Sequence, residues 1–168
     1  EQMIASNLGA KLKRKRMTRY EHDSTLARVV GLTDADASWK RHFASADLVI
    51  EAVFEKLAVK HAVLEDMEAI VPDSCIIASN TSTIPIGDIA RAAKHPNRVV
   101  GMHYFSPVPK MPLLEVIPHA GTDPEVVAAA VDVGIRQGKS EPAPRLRTRA
   151  RALSVARAPP FLMGSWAH

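Results

Sequence analysis

Four short apolar runs punctuate the middle of this chain, and helical periodicity fills the gaps between them. The runs are LVIEAV at 48–53, SCIIA at 74–78, RVVGMHY at 98–104 and LLEVI at 113–117. They are rich in β-branched residues and apolar on both faces, which suits strands inside a mostly parallel sheet. Between the first two, residues 55–71 carry Val59, Val63, Met67 and Ile70 on one stripe, and Pro72-Asp73 ends it. After the second, Thr83 is set to cap a helix with Pro85 in its first turn. Ile86, Ile89 and Ala93 share its face, and His95-Pro96 stops it. Past the fourth run, Thr122-x-x-Glu125 reads as a capping box. The helix it opens turns Val127, Ala130 and Gly134 inward and ends at Gly138. Residues 1–20 read as a further helix through Met3, Ile4, Leu8 and Leu12. Residues 28–30 read as a short strand and 34–38 as a turn. Strands alternating with helices predict an α/β fold with a largely parallel sheet.

Composition narrows the class. A chain of 168 residues that is 46% apolar can bury a real core. Its single cysteine, Cys75, excludes a disulfide within the chain, and no metal-ligand spacing occurs; Cys75 reads as a small buried hydrophobe. No apolar run approaches the ~18 residues a bilayer span needs. No signal peptide is visible, and the opening EQMIASNLGAKLKRKR reads as the interior of a helix, so sequence upstream is expected. The net charge of +4 is uneven. Lys11, Lys13, Arg14, Lys15, Arg16 and Arg19 form one cluster, which is a solvated helix face or an anion site. No aromatic residue is interleaved with it, so a nucleic-acid reading has little support. After Lys139 the chain is biased to Arg, Ala, Pro and Ser without a strand-like run. Residues 140–168 are therefore expected to be a disordered or aberrant tail, a bias that resembles out-of-frame translation of a G+C-rich message.

Chemistry concentrates in ASNTSTIPIGDIARAAKHPNRVVGMHYFSPVPKMPLLEV, residues 78–116. His103 lies between an SNTS element at 79–82 and Glu115, an acid inside an apolar run. A histidine partnered by a carboxylate can act as a general base near neutral pH. Each residue also has a plainer reading: His103 as a satisfied strand histidine, Glu115 as a solvent-facing acid, SNTS as a strand-to-helix cap, and Glu55 and Lys60 as helix-surface charges. Position favours function. Ligands of parallel sheets sit beyond the carboxyl ends of the strands. Glu55, residues 79–82 and residues 103–106 would all lie there.

Three blocks, ADLVIEAVFEKLAVKHAVL, ASNTSTIPI and GMHYFSPVPKMPLLEVI, resemble the NAD-binding domain of L-3-hydroxyacyl-CoA dehydrogenases. The wording is nearest the multifunctional fatty-acid oxidation (trifunctional enzyme) alpha subunit. The resemblance covers about residues 1–139. It implies a partial Rossmann-like, doubly wound domain with NAD as cofactor. It implies His103 as catalytic base, Glu115 as support for its imidazole and Ser82 as a partner of the reacting oxygen. Glu55, Lys60, Asn80, Ser82 and Ser106 fall at cofactor-contacting positions, and Lys15, with Arg14 next, at the coenzyme A phosphates. Ser106 stands where many relatives have Asn, as it does in the multifunctional branch.

The resemblance further implies an acyl-CoA substrate, an upstream hydratase domain, a thiolase partner and a mitochondrial matrix setting, with the bacterial cytoplasm as the alternative. No G-x-G-x-x-G occurs in the chain. In the family that turn precedes the stretch seen here, and a PGF..NR segment and a helical domain follow it. The chain alone is therefore expected to turn over negligibly. Two other readings stand beside the enzyme: a noncatalytic remnant or binding surface, and a basic nucleic-acid binder.

Overall fold

The protein is described from a computed structural model that covers residues 2–33, 35 and 39–140. Its elements in chain order are α1 (Gln2–Lys13), α2 (Arg19–Leu26), α3 (Trp39–Phe43), β1 (Leu48–Glu51), α4 (Leu57–Glu68), β2 (Ile76–Ser79), α5 (Ile86–Ala90), a 3-10 turn (Pro96–Arg98), β3 (Val99–Tyr104), β4 (Leu114–Ile117) and α6 (Pro124–Arg136). The four apolar runs thus become one sheet in the order β1-β2-β3-β4. β1, β2 and β3 are parallel, and β4 returns antiparallel to β3. The α/β, mostly parallel architecture is the one the alternation predicts.

Strand parity assigns the two faces. Val49, Cys75, Ile77 and Val99 point to one side, where they pack with Leu64 and Met67 of α4 and Ile86, Ile89 and Ala90 of α5. Ile76, Ala78, Val100, Met102 and Leu114 point to the other, against Val126 and Ala130 of α6. Two glycines permit close approach. A Cβ on Gly101 would lie 2.8 Å from Ile86 Cδ1 and 3.0 Å from Ile117 Cβ, and one on Gly134 would lie 2.6 Å from Leu114 Cδ2. α6 ends as its glycine predicts. Gly138 takes φ 72°, and Lys139 and Gly138 donate back to the carbonyls of Gly134 and Ile135. That reversal brings Ser140 beside β4, where its N–H donates to Pro112 and its carbonyl accepts from Leu114. Ser140, assigned to the tail by sequence, is therefore joined to the sheet. The rest of the expected tail, residues 141–168, lies outside the described residues.

Several local expectations differ from the structure. The helix expected over 1–20 breaks after Lys13, with Lys15 at φ 54° in the turn, and α2 follows as a separate helix packed on α1. A capping box does start α2: Thr18 and Glu21 bond reciprocally. Residues 28–30 pair with no strand among the described residues, and Val30 is exposed. The turn at 34–38 falls mostly outside the described residues. The Thr122/Glu125 box does not form. Asp123 is the N-cap, and the Thr122 hydroxyl donates instead to the Val99 carbonyl, tying α6 to β3. Val126 is the buried residue of that turn, with Val127 half-buried.

Candidate active site

The antiparallel return of β4 puts Glu115 directly opposite His103 in the β3–β4 register. His103 Nδ1 lies 3.0 Å from Glu115 Oε2. A carboxylate accepts hydrogen bonds and donates none, so Nδ1 carries the hydrogen and Nε2 bears the free lone pair. The His103 side chain is 18% exposed, and the Phe105 ring packs on it with centroids 4.4 Å apart. The imidazole is thereby oriented on both sides while one nitrogen stays available. The sequence pair is a real pair, and its basic nitrogen faces away from its partner.

A second group of side chains lies at the same end of the sheet. Glu51 closes β1 and pairs in register with Ser79, the last residue of β2. Both point to the α4 side, and the Ser79 hydroxyl donates to Glu51 Oε1. Lys60 descends from the first turns of α4. Its ammonium donates to both Glu51 oxygens, at 2.9 and 3.0 Å, and lies 3.2 Å from Glu55 Oε2. Glu51 is 6% exposed and Lys60 1%. Charges this deeply buried survive when they are paired. Glu55 itself sits in the β1–α4 loop. Its Oε1 accepts from the Thr81 hydroxyl, from the N–H groups of Ser82 and Thr83 at 3.0 and 3.1 Å, and from the Thr83 hydroxyl at 3.1 Å. Partial burial alone would raise the Glu55 carboxyl. The bonds from Thr81, Thr83, Lys60 and Ser82 together outweigh that and lower it from 4.5 to about 2.

These contacts assign a place to every residue singled out in the sequence. Asn80 bridges the two groups: its side-chain oxygen accepts from the Tyr104 N–H at 2.8 Å. Ser82 is exposed at the crest of the loop, and its hydroxyl makes no hydrogen bond among the described residues. Ser106 is also exposed, just past the end of β3. Thr83 does not cap α5, whose N-cap is Pro85; it bonds Glu55 instead. Lys60 is not a helix-surface charge, and it reaches the loop through Glu55. Lys15 and Arg14 are exposed on the α1–α2 hairpin, where Leu12, Lys15, Arg16, Met17, Thr18 and Glu21 line a shallow depression. They bond none of the strand-end residues among the described residues. Glu51 escaped the sequence reading, and Ser79, read as part of the SNTS element, was not assigned its bond to Glu51. The signal for Glu51 was present: an acid inside LVIEAV, where burial demands a partner.

An oriented histidine and a pinned hydroxyl loop thus stand together beyond the carboxyl ends of parallel strands, where the ligands of such sheets sit. A family model described as 3-hydroxyacyl-CoA dehydrogenase, NAD binding domain, matches residues 1–142. The chain belongs to that family.

Solved structures agree. 3-Hydroxybutyryl-CoA dehydrogenase from Escherichia coli K12 is 35% identical, with a TM-score of 0.75 over 83% of this chain and 29% of its own length. (S)-3-Hydroxybutyryl-CoA dehydrogenase from Ralstonia eutropha is 34% identical, with a TM-score of 0.75 over 83% of this chain and 48% of its own. The dehydrogenase part of multifunctional enzyme 1 from C. elegans shares the fold at 22% identity and a TM-score of 0.64, over 81% of this chain and 31% of its own. The chain thus spans less than half the length of each of these proteins.

Proposed function

We propose that this chain supplies the catalytic-base half of an NAD-dependent L-3-hydroxyacyl-CoA dehydrogenase that oxidises the 3-hydroxyl of an acyl-CoA to a ketone. The observation that carries the reading is the His103–Glu115 pair, 3.0 Å apart with Nε2 left free. Membership of the NAD-binding-domain family supports the cofactor. The residues present fit it: among the described residues Asn80 has its oxygen engaged and its amide hydrogens free, and the neighbouring Ser82 hydroxyl is open. NAD, when bound, supplies the hydride acceptor.

The chain's own residues manage the proton. His103 Nε2 takes the hydrogen of the 3-hydroxyl as the C3–H electron pair departs and the C=O bond forms. Glu115 stabilises the resulting imidazolium across Nδ1–H. Ser82 donates to the reacting oxygen. Glu55 and Lys60 serve the cofactor side through the loop they hold, and Ser106 borders the site. Lys15 and Arg14 offer positive charge to the coenzyme A phosphates.

The same reading assigns the chain to fatty-acid β-oxidation in the multifunctional alpha subunit, with a hydratase domain upstream and a thiolase partner in the mitochondrial matrix. Its support is the HYFSP and VFEKL wording of the sequence. The test is reduction of acetoacetyl-CoA followed by NADH consumption, for the purified chain and for a version lengthened at both ends by its neighbouring coding sequence. The lengthened version should consume NADH and lose that activity on His103→Gln. A lengthened, folded version that consumes no NADH would overturn the proposal.

A further inference from the structure

The Glu51–Lys60–Glu55 cluster holds two carboxylates against one ammonium, and it meets the Asn80–Thr83 loop at both of its ends. At the start, Ser79 donates to Glu51. At the crest, Thr81, Ser82 and Thr83 all bond a single oxygen of Glu55. The other Glu55 oxygen faces Lys60 at 3.2 Å. Glu51 engages Lys60 with both of its oxygens and also accepts from the Val53 N–H at 3.1 Å, so it fixes the start of the loop that carries Glu55.

A Lys alone beside a carboxylate whose side chain is 35% exposed would swing outward with it, because water solvates an ammonium far better than the interior does. Glu51 removes that option. It keeps the ammonium 1% exposed, and the ammonium then keeps one Glu55 oxygen turned inward and the other turned to the loop.

We infer that Glu51 is a positioning residue: acting through Lys60 and Glu55, it sets the loop that carries Ser82 and holds Asn80 against Tyr104, the neighbour of His103. Glu51 touches neither the imidazole nor the loop crest. The functional meaning of this rests on the dehydrogenase reading, but its physical content does not. The test therefore uses no turnover.

Amide hydrogen exchange is measured on the chain itself and on Glu51→Gln, Lys60→Met and the double Glu51→Gln/Lys60→Met variant, alongside urea unfolding. Lys60→Met leaves the buried Glu51 carboxylate without its ammonium, and Glu51→Gln leaves the buried ammonium only the partly exposed Glu55, so either single change should lower global stability. The double change leaves no such charge, so its stability should return most of the way. Loop order should behave differently. Exchange of the Ser82 and Thr83 amides should quicken by about tenfold or more in all three variants, since Glu55 then either lacks Lys60 or is free to swing outward with it. Core amides of β3 and α6 in the double variant should match the parent.

Recovery of the loop amides together with stability in the double variant would show that the cluster only stabilises the fold, and would overturn the inference. So would unchanged loop exchange in Glu51→Gln. If Lys60→Met fails to fold, the double variant still decides. Loss of dehydrogenase activity in the lengthened protein would contradict the proposed function and leave these exchange results standing.

Discussion

Two groups of ionisable side chains stand at the same end of one sheet, and they are built to opposite rules. At β1 and β2, Glu51 and Lys60 are nearly inaccessible, and each of their buried side-chain nitrogen and oxygen atoms has a partner. At β3 and β4, His103 and Glu115 share a single hydrogen bond, and the Glu115 side chain is 40% exposed. In the first group one buried ammonium is held between two carboxylates. In the second, the imidazole bonds its carboxylate through Nδ1 alone among the described residues, and that carboxylate is partly solvated. The first group is enclosed and fully paired, and the second is partly open to solvent.

The comparison is broken most severely at His103. In the lengthened, active protein, His103→Gln should cut kcat by roughly 10²–10⁴ while leaving urea unfolding nearly unchanged. Glu115→Gln should reduce kcat less. Steady-state kinetics check both, and a change confined to KM would remove these residues from the proton transfer. The converse experiment is Lys60→Met. It strands Glu51 in the core and should cost about 3–5 kcal/mol of stability. Equilibrium urea denaturation reads it, and a loss below the range of ordinary surface substitutions would mean that the cluster is solvated.

Gly101 separates the two groups, pairing with Ser79 on one side and Ile117 on the other. Gly101→Ala drives a methyl to within 2.8 Å of Ile86 Cδ1 and 3.0 Å of Ile117 Cβ. Overpacking of this kind should cost about 1–3 kcal/mol, visible as a lowered Tm. Because Ile117 closes β4 beside Glu115, the strain should also lower kcat in the lengthened protein. A neutral result would show that β4 can shift without disturbing the pair.

What the sequence disclosed follows the same division. Apolar runs with β-branched residues marked all four strands, since strands covered on both faces need no alternation. His103 and Glu115 were legible because a polar residue in such a run stands out. Glu55 was legible by its place after β1. Lys60 was located, but its burial was not. Helical periodicity counts lysine as polar, and the partner that buries it, Glu51, lies on a strand nine positions earlier. α2 was missed although Thr18-x-x-Glu21 announces it, because that helix buries no residue and so has no apolar stripe. The box read at Thr122 failed for a tertiary reason: its hydroxyl has a better partner in the Val99 carbonyl. The direction of β4 is set by the turn after β3, where a pattern of apolar residues carries no sign of orientation.

The smallest expected effect tests whether the positioning group depends on charge. The Glu55 carboxyl is lowered from 4.5 to about 2 in the folded protein. A carboxyl that loses its proton more readily when folded stabilises the native state above its unfolded value, where it is ionised in both states. That contribution should fade as the pH falls from 4.5 toward 2, and be absent once Glu55 is protonated folded and unfolded alike. The side chain is 35% exposed, so solvent screening keeps the contribution modest. Glu55→Gln should therefore be less stable than the parent at neutral pH, and the gap should narrow through this window as acid is added. Urea unfolding at a series of pH values measures it. Other carboxyls titrate over the same range in both proteins, so the difference between the two curves isolates Glu55. A gap that stays constant to low pH would mean that the bonds from Thr81, Ser82 and Thr83 do not depend on an ionised partner. The contrast between a charge-locked loop and a partly open histidine pair would then have to rest on Glu51 and Lys60 alone.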